Sequence, residues 1–115
     1  MRAEAILSEF AREFPRCWLC GKTARQAAFG RLEIHHIVRG ALRAMARDEW
    51  CTLIRTCCEC HADKLDGMDV ALQLAIKRRH DPAGYDRVAV NLLRRRQPEA
   101  ITEYDVDEAW EAKHG

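Results

Sequence analysis

The sequence has few of the features that mark membrane, secreted or disordered proteins. No apolar run approaches the roughly 20 residues that a helix needs to span a bilayer. The amino terminus lacks the basic, apolar and small-residue pattern of a signal peptide, so we expect a cytoplasmic protein. Repeats, long linkers and biased tracts are also missing. The 48% hydrophobic and 32% charged content is near the globular average, which excludes disordered and collagen-like chains.

The chain also lacks an excess of one charge, since 19 Lys and Arg stand against 18 Asp and Glu. This balance does not by itself indicate a polyanionic partner. The charges are unevenly placed, because residues 99–115 hold six acids and one Lys, and the rest of the chain is mildly basic. Arginine supplies most of the bases, and its planar fork suits phosphate contacts as well as solvated helix faces.

The 115 residues suffice for one domain, and their apolar spacing predicts an α+β fold in which helices predominate. An amphipathic helix is expected over 1–15, ended by Pro15. The segment 28–38 is predicted to be a short hairpin that turns at Gly30, and 41–50 is either a loop or a short helix. Later helices are predicted at four places: a start at 63–65, 70–79 capped by Asp69, 86–96 capped by Asp86, and 102 or 105 to 114.

Six cysteines are a high number for a short chain. In a reducing compartment, clustered cysteines more often bind a metal than form disulfides. Four of them form two C-x2-C pairs, Cys17/Cys20 and Cys57/Cys60, and two such pairs can place four thiolates around one Zn²⁺. The alternative is two chance pairs of buried cysteines. The other two, Cys51 and Cys58, are interpreted as apolar thiols outside the site.

Two adjacent histidines, His35 and His36, lie between the cysteine pairs, and His61 follows the second pair directly. Neighbouring side chains at a strand end point to opposite sides of the backbone, so one histidine can bind a metal while the other does a separate task. Phosphodiester hydrolysis needs such a division, with a base for the water and a cation for the charge on the phosphate. The alternative is that these histidines only pack and hydrogen-bond in a strand.

The run from Cys17 to His61 resembles the zinc-stapled HNH endonucleases of the ββα-metal superfamily. The resemblance rests on C-x2-C-G-K, His-His-Ile and Leu-Ile-x-x-C-x2-C-His. Small phage-encoded HNH proteins are similar in length, and 81–86 also looks like their sequences. The resemblance implies a ββα-metal core over 17–66, with a helix over 1–15 and a helical extension over 67–115.

The resemblance also implies roles for individual residues. His35 and His61 would bind a catalytic Mg²⁺ or Mn²⁺, and His36 would be the general base. The four paired cysteines would hold a structural Zn²⁺. Thr52 occupies the slot of the motif's Asn, which commonly fixes the loop behind the base. A Thr hydroxyl offers less hydrogen bonding than an amide, so this departure leaves open a tolerated variant or a lost activity.

DNA is the partner that the resemblance implies, with phage packaging or recombination proteins as further partners. Four arginines between the predicted hairpin and the second cysteine pair are candidates for contact with the DNA backbone: Arg39, Arg43, Arg47 and Arg55. The alternative is that they belong to a solvated loop. The runs 77–79 and 94–96 end predicted helices and more often complement a helix dipole. Glu33 and Asp63 are candidate supports for the metal ligands.

Two other functions remain open at the level of sequence. A catalytically inactive zinc module that binds DNA or a packaging partner would keep the four cysteines. An RNA-directed nuclease would share the same chemistry. Oligomeric state, sequence preference and nicking against double-strand cleavage are not determined by these motifs.

Overall fold

A computed structural model describes residues 3–114 of the chain. The described residues form six α-helices and a two-stranded antiparallel sheet, which confirms the α+β prediction. In chain order the elements are α1 (Ala3–Glu13), β1 (Glu33–His36), α2 (Arg43–Ala46), β2 (Leu53–Thr56), α3 (Cys58–Cys60), α4 (Val70–His80), α5 (Arg87–Leu93) and α6 (Glu103–His114). Short 3-10 turns lie at Ala28–Gly30, Gly40–Leu42 and Trp50–Thr52, and α3 continues into a π-helical turn at His61–Leu65.

Helix α1 buries an aromatic cluster against the rest of the fold. Phe10 is fully buried, and its ring lies 5.0 Å from Phe14, 5.7 Å from Trp18 and 5.1 Å from Trp50, measured between ring centroids. The tilted and edge-on arrangements are those that aromatic quadrupoles favour. Both tryptophans of this cluster are therefore packing residues.

The sheet is formed by strands that are distant in sequence. Glu33 pairs with Thr56, and His36 pairs with Leu53. The predicted local hairpin over 28–38 is therefore wrong: Gly30 ends a 3-10 turn with a φ of 65°, and β1 finds its partner beyond residue 50. Apolar side chains on β2 complete the core, because Leu53 and Ile54 are both fully buried.

The helices after the sheet follow the predicted pattern with shifted ends. Helix α4 begins after Asp69, although the Asp69 side chain makes no capping bond. Asp86 does cap α5, since its Oδ1 accepts from the Ala89 N–H at 3.0 Å. Helix α5 ends at Leu93, three residues before the predicted end, because Arg95 takes a positive φ of 61°.

The acidic carboxyl-terminal segment folds as α6 and packs on α4. Glu103 accepts bonds from Arg78 at 3.0 Å and from Arg87 at 3.0 Å, and Asp107 accepts from Arg78 at 2.7 Å. The helix begins with a reciprocal cap between Thr102 and Asp105. Across residues 3–114, none of the helices combines the length and apolar character that crossing a bilayer requires.

Candidate functional site

The four paired cysteines converge in one cluster. The first pair lies on a tight turn in which the Gly21 N–H donates to the Cys17 carbonyl at 2.9 Å, and Gly21 has a φ of 79°, a conformation that glycine adopts without strain. The second pair begins α3, where Cys57 is the N-cap residue and its Sγ accepts from the Cys60 N–H at 3.4 Å. The Trp18 N–H donates to the Arg55 carbonyl at 3.0 Å, which fastens the first turn to β2.

The sulfur positions suit a tetrahedral metal. All four Sγ atoms lie within 4.8 Å of one another, and the Sγ atoms of Cys20 and Cys57 are 3.8 Å apart. Sulfurs bound tetrahedrally at about 2.3 Å from one Zn²⁺ would be separated by about 3.8 Å. The cluster can therefore hold a metal ion such as zinc. Cys51 and Cys58 lie outside it, as predicted, although both are only partly buried.

The thiols of the cluster differ in how readily they ionise. Burial raises the pKa of Cys17, but backbone N–H groups, first that of Leu19, outweigh it and lower the pKa to about 6. Burial raises the pKa of Cys20 and that of Cys60, where crowding by the other thiols adds to the effect. The cluster thus offers one ready thiolate and further thiols whose protons a metal ion would displace on binding.

Strand β1 presents its two histidines to different surroundings. His35 is opposite Ile54, and His36 is opposite Leu53. The side chain of His35 is directed to α4 and that of His36 to the segment after α2, as their hydrogen bonds show. Both residues are buried, with relative exposures of 1% and 6%. The pleat of the strand therefore separates the two imidazoles, as alternation along a strand requires.

His35 is held by Gln73 of α4. The Nε2 of His35 lies 2.6 Å from the Gln73 Oε1, and the Gln73 Nε2 donates to the Met68 carbonyl at 2.7 Å. The second bond fixes the direction of the amide, so the oxygen faces His35 and can only accept. His35 therefore carries its proton on Nε2 and keeps a lone pair on Nδ1. Burial lowers the pKa of His35 to about 4, which keeps the ring neutral at pH 7.

His61 is brought beside His35 and is held in turn by Glu33. The two imidazole centroids are 5.0 Å apart at an interplanar angle of 85°. The Nδ1 of His61 lies 2.9 Å from the Glu33 Oε1, so Nδ1 donates to the carboxylate and Nε2 remains for another partner. Glu33 thus supports His61, as the sequence suggests. Asp63 is not part of this arrangement, because it lines a different cavity with Trp18 and Trp110.

His36 is held by the backbone of the loop before β2. Its Nε2 lies 3.0 Å from the Arg47 carbonyl oxygen, which can only accept, so Nε2 carries the proton and Nδ1 keeps its lone pair. Burial lowers the pKa of His36, which favours the neutral ring. Thr52 takes no part in the hydrogen bond between His36 and Arg47. Its hydroxyl donates instead to the Glu49 carbonyl at 3.0 Å.

The predicted arginines have different environments. Arg39 forms an ion pair with Asp66, and Arg43 is exposed on α2. Arg55 is half-buried and donates to the carbonyls of Phe14 at 2.9 Å and Glu33 at 3.3 Å. Two of its N–H groups are therefore used to join the end of α1 to the sheet. A DNA contact by Arg39, Arg43 or Arg55 stays a prediction.

One residue of the site has no signal in the sequence. Gln73 lies within the apolar stripe of α4 and is 3% exposed, but a single Gln among Leu, Ala and Ile does not indicate a partner. Its role depends on the packing of α4 against β1. Only the fold brings residue 73 to residue 35.

Comparison with known proteins adds no relative. No family model, no curated protein and no solved structure matches the chain.

Proposed function

We propose that the protein is a metal-dependent endonuclease of the HNH type that hydrolyses phosphodiester bonds in DNA. The observation that carries the proposal is the orientation of three histidine rings by hydrogen bonds to fixed acceptors. His35, His36 and His61 each have one ring nitrogen committed to an acceptor, which fixes the position of the other nitrogen of each ring. The second nitrogens can then act in chemistry, because a ring held in one orientation presents its free nitrogen to a metal ion or a proton.

His36 is the general base in this proposal. Its Nδ1 takes a proton from water while the oxygen of that water forms a bond to phosphorus. The bond between phosphorus and the 3′ oxygen then breaks, and the leaving oxygen takes a proton from solvent. The products carry a 5′-phosphate and a 3′-hydroxyl. The Arg47 carbonyl stabilises the imidazolium that forms, because it accepts from Nε2 throughout.

The Nδ1 of His35 and the Nε2 of His61 would hold the catalytic Mg²⁺ or Mn²⁺. The 5.0 Å between the ring centroids suits neighbouring ligands of one ion, since nitrogen-to-metal distances are about 2.1 Å. Gln73 and Glu33 orient these rings in the way that outer hydrogen bonds orient metal-binding histidines. When bound, the ion would neutralise charge on the phosphate and on the leaving oxygen. His61 provides the access, with its side chain 33% exposed.

The four-cysteine cluster has a structural role in this proposal. A closed set of four thiolates leaves no open position for a substrate, which is typical of structural rather than catalytic Zn²⁺. Cys60 directly precedes His61, so the cluster positions the turn that carries the second metal ligand.

The decisive experiment is cleavage of supercoiled plasmid by the zinc-loaded protein with Mg²⁺, with Mn²⁺ or with EDTA. We expect nicked or linear DNA only with the divalent ions. His36→Ala should reduce the rate at least 100-fold, which is about the lower end of what a general base contributes. His114→Ala is the matched control, because His114 is exposed on α6 and should leave cleavage unchanged.

Full cleavage by His36→Ala would refute the assignment of the base. No cleavage by folded, zinc-loaded protein under any of these conditions would favour the second candidate, an inactive zinc module that binds DNA or a packaging partner. The observation in favour of that candidate is Thr52 at the Asn position, where a single hydroxyl offers fewer hydrogen bonds than an amide to fix the loop behind the base. A parallel assay on RNA distinguishes the two nucleic acids as substrate.

A further inference from the structure

A groove of about 330 Å³ lies beside the histidines, between the end of β1 and the turn after α5. We call it the arginine groove, because Arg39, Arg94 and Arg96 line it. Gln73, whose amide holds His35, lines it as well. The groove is therefore adjacent to the candidate catalytic residues.

The turn after α5 controls which arginines face the groove. Arg95 has a φ of 61°, which is uncommon for a residue with a Cβ. The turn is closed by two backbone bonds of 2.9 Å, from the Arg95 N–H to the Leu92 carbonyl and from the Arg96 N–H to the Asn91 carbonyl. As a result Arg94 and Arg96 line the arginine groove, while Arg95 lines another cavity with Met45.

The arginine groove carries more positive charge than its own residues neutralise. None of the residues that line it is Asp or Glu. Arg39 is paired with Asp66, but within residues 3–114 neither Arg94 nor Arg96 forms an ion pair with a carboxylate. Burial lowers the pKa of Arg94 and the charge of Arg96 lowers it further, whereas Asp69 raises it. An anion in the groove would stabilise both guanidinium groups.

We propose that the arginine groove binds the phosphodiester backbone of the DNA substrate through Arg94 and Arg96. The inference rests on the proposed function for the identity of the substrate. Arginine forks match phosphate oxygens in geometry and charge. The charged residues that line the groove are all arginines, so the groove suits contact with the oxygens of the phosphate backbone. The carboxyl-terminal extension therefore contributes to substrate binding.

The test compares two double variants in a His36→Ala background, which prevents cleavage during the measurement. The first is Arg94→Gln with Arg96→Gln. The matched control is Arg12→Gln with Arg95→Gln, which removes the same charge from two exposed residues that do not line the groove. Fluorescence anisotropy of a labelled duplex gives the dissociation constant over a range of salt concentrations. Zinc content and thermal melting check that each variant is folded.

We expect the groove variant to bind DNA at least 10-fold more weakly than the control at physiological salt. Its plot of log affinity against log salt should be less steep by about 0.9 for each phosphate that the variant no longer neutralises. Arg96 is exposed, so Arg96→Gln alone should fold normally and still lower the slope by about 0.9. Equal affinity and slope in the groove and control variants would overturn the proposal, as would tighter binding of duplex RNA than of DNA.

Failure of this inference can be separated from failure of the proposed function. If plasmid is cleaved with divalent metal and the groove variant matches the control, the nuclease stands and the groove does not. If plasmid is not cleaved but the groove variant alone loses affinity, the groove stands and the nuclease does not.

Discussion

The hydroxyl of Thr52 is fully buried just before β2, and it donates to the Glu49 carbonyl at 3.0 Å with a longer 3.4 Å contact to the Ala46 carbonyl. The backbone of the same residue accepts from the Ile37 N–H at 2.8 Å. Thr52 therefore ties the loop that contains Arg47 to the strand that contains His36. Since the Arg47 carbonyl holds the His36 ring, Thr52 is a positioning residue that acts through the loop.

Thr52→Val tests this role, because valine keeps the shape and removes the hydroxyl. The Glu49 carbonyl would keep its bond from the Thr52 N–H and lose the bond from the hydroxyl, at a cost of about 0.5–1.5 kcal/mol of unfolding free energy. We expect kcat for plasmid cleavage to fall at least 10-fold with little change in KM, since only the orientation of the base is disturbed. Thr52→Ser keeps the hydroxyl and should restore most of kcat. A Thr52→Val enzyme that is destabilised yet retains its kcat would show that the residue is only structural.

The site residues that can be identified from the sequence are those that lie at a characteristic spacing from their partners along the chain. The two C-x2-C pairs predict the cysteine cluster because each pair forms one local turn, and the structure brings the four sulfurs together. Gln73 could not be predicted in the same way, since its partner His35 is 38 residues away and belongs to another element. The role of the Arg47 carbonyl could not be predicted either, because every residue has a backbone carbonyl.

At the scale of elements, Lys77 of α4 is the largest departure from expectation. The sequence predicts that the run 77–79 complements the dipole at a helix end, but Lys77 is fully buried and bonds to other elements. Its Nζ donates to the carbonyls of Trp50 and Leu53 and to the Asp81 Oδ2, all at 2.9 Å. The acceptors come from the 3-10 turn before β2, from the first residue of β2 and from the turn after α4. Lys77 therefore joins α4 to the sheet. The position of Lys77 in a helical pattern does not predict these partners.

Replacing this amine should unfold the protein more readily. In Lys77→Met, the Asp81 carboxylate would lose its buried cation and two carbonyls would lose a donor, so we expect a loss of about 3–5 kcal/mol in urea unfolding. Arg79→Met is the control on the same helix, because Arg79 is exposed and should change stability by about 0.5 kcal/mol or less. Equal stability of the two variants would contradict a joining role for Lys77.

The sequence predicts the elements themselves unevenly, for a physical reason. Helices are local, so apolar periodicity locates α1, α4 and α6 to within about two residues. Strand pairing is not local, and nothing in 28–38 indicates that its partner lies at Leu53–Thr56. The end of α5 differs from the prediction because Arg95 adopts a conformation that Gly or Asn more commonly takes at a helix end.

At the scale of the whole molecule, the cysteine cluster joins two segments on either side of the sheet. The first pair precedes β1 and the second follows β2. A metal bound by both pairs would therefore close a loop of the chain that contains both strands. The body of the protein also has hydrophobic packing around Phe10, Leu53 and Leu74. A metal bound by the cysteine cluster would therefore supplement this hydrophobic core.

Cys57→Ser should release the metal and lower the melting temperature, because the binding energy of such a site contributes to folding energy. The neighbouring Cys58→Ser is the control, since Cys58 lies outside the cluster. We expect one Zn²⁺ per chain in the wild type and in Cys58→Ser, and much less in Cys57→Ser. Elemental analysis and thermal melting measure both effects. Retention of zinc and of the melting temperature by Cys57→Ser would refute the four-cysteine site.

The separation of the two cysteine pairs also affects the order of folding. Cys20 and Cys57 are 37 residues apart, and the paired strands between them must find each other across a loop that contains α2. Closing a long loop slows the formation of non-local contacts. During synthesis the chain has only half of the metal ligands until the second cysteine pair has been made. The sheet and the histidines on it therefore cannot take their final arrangement until β2 and the second cysteine pair have been made.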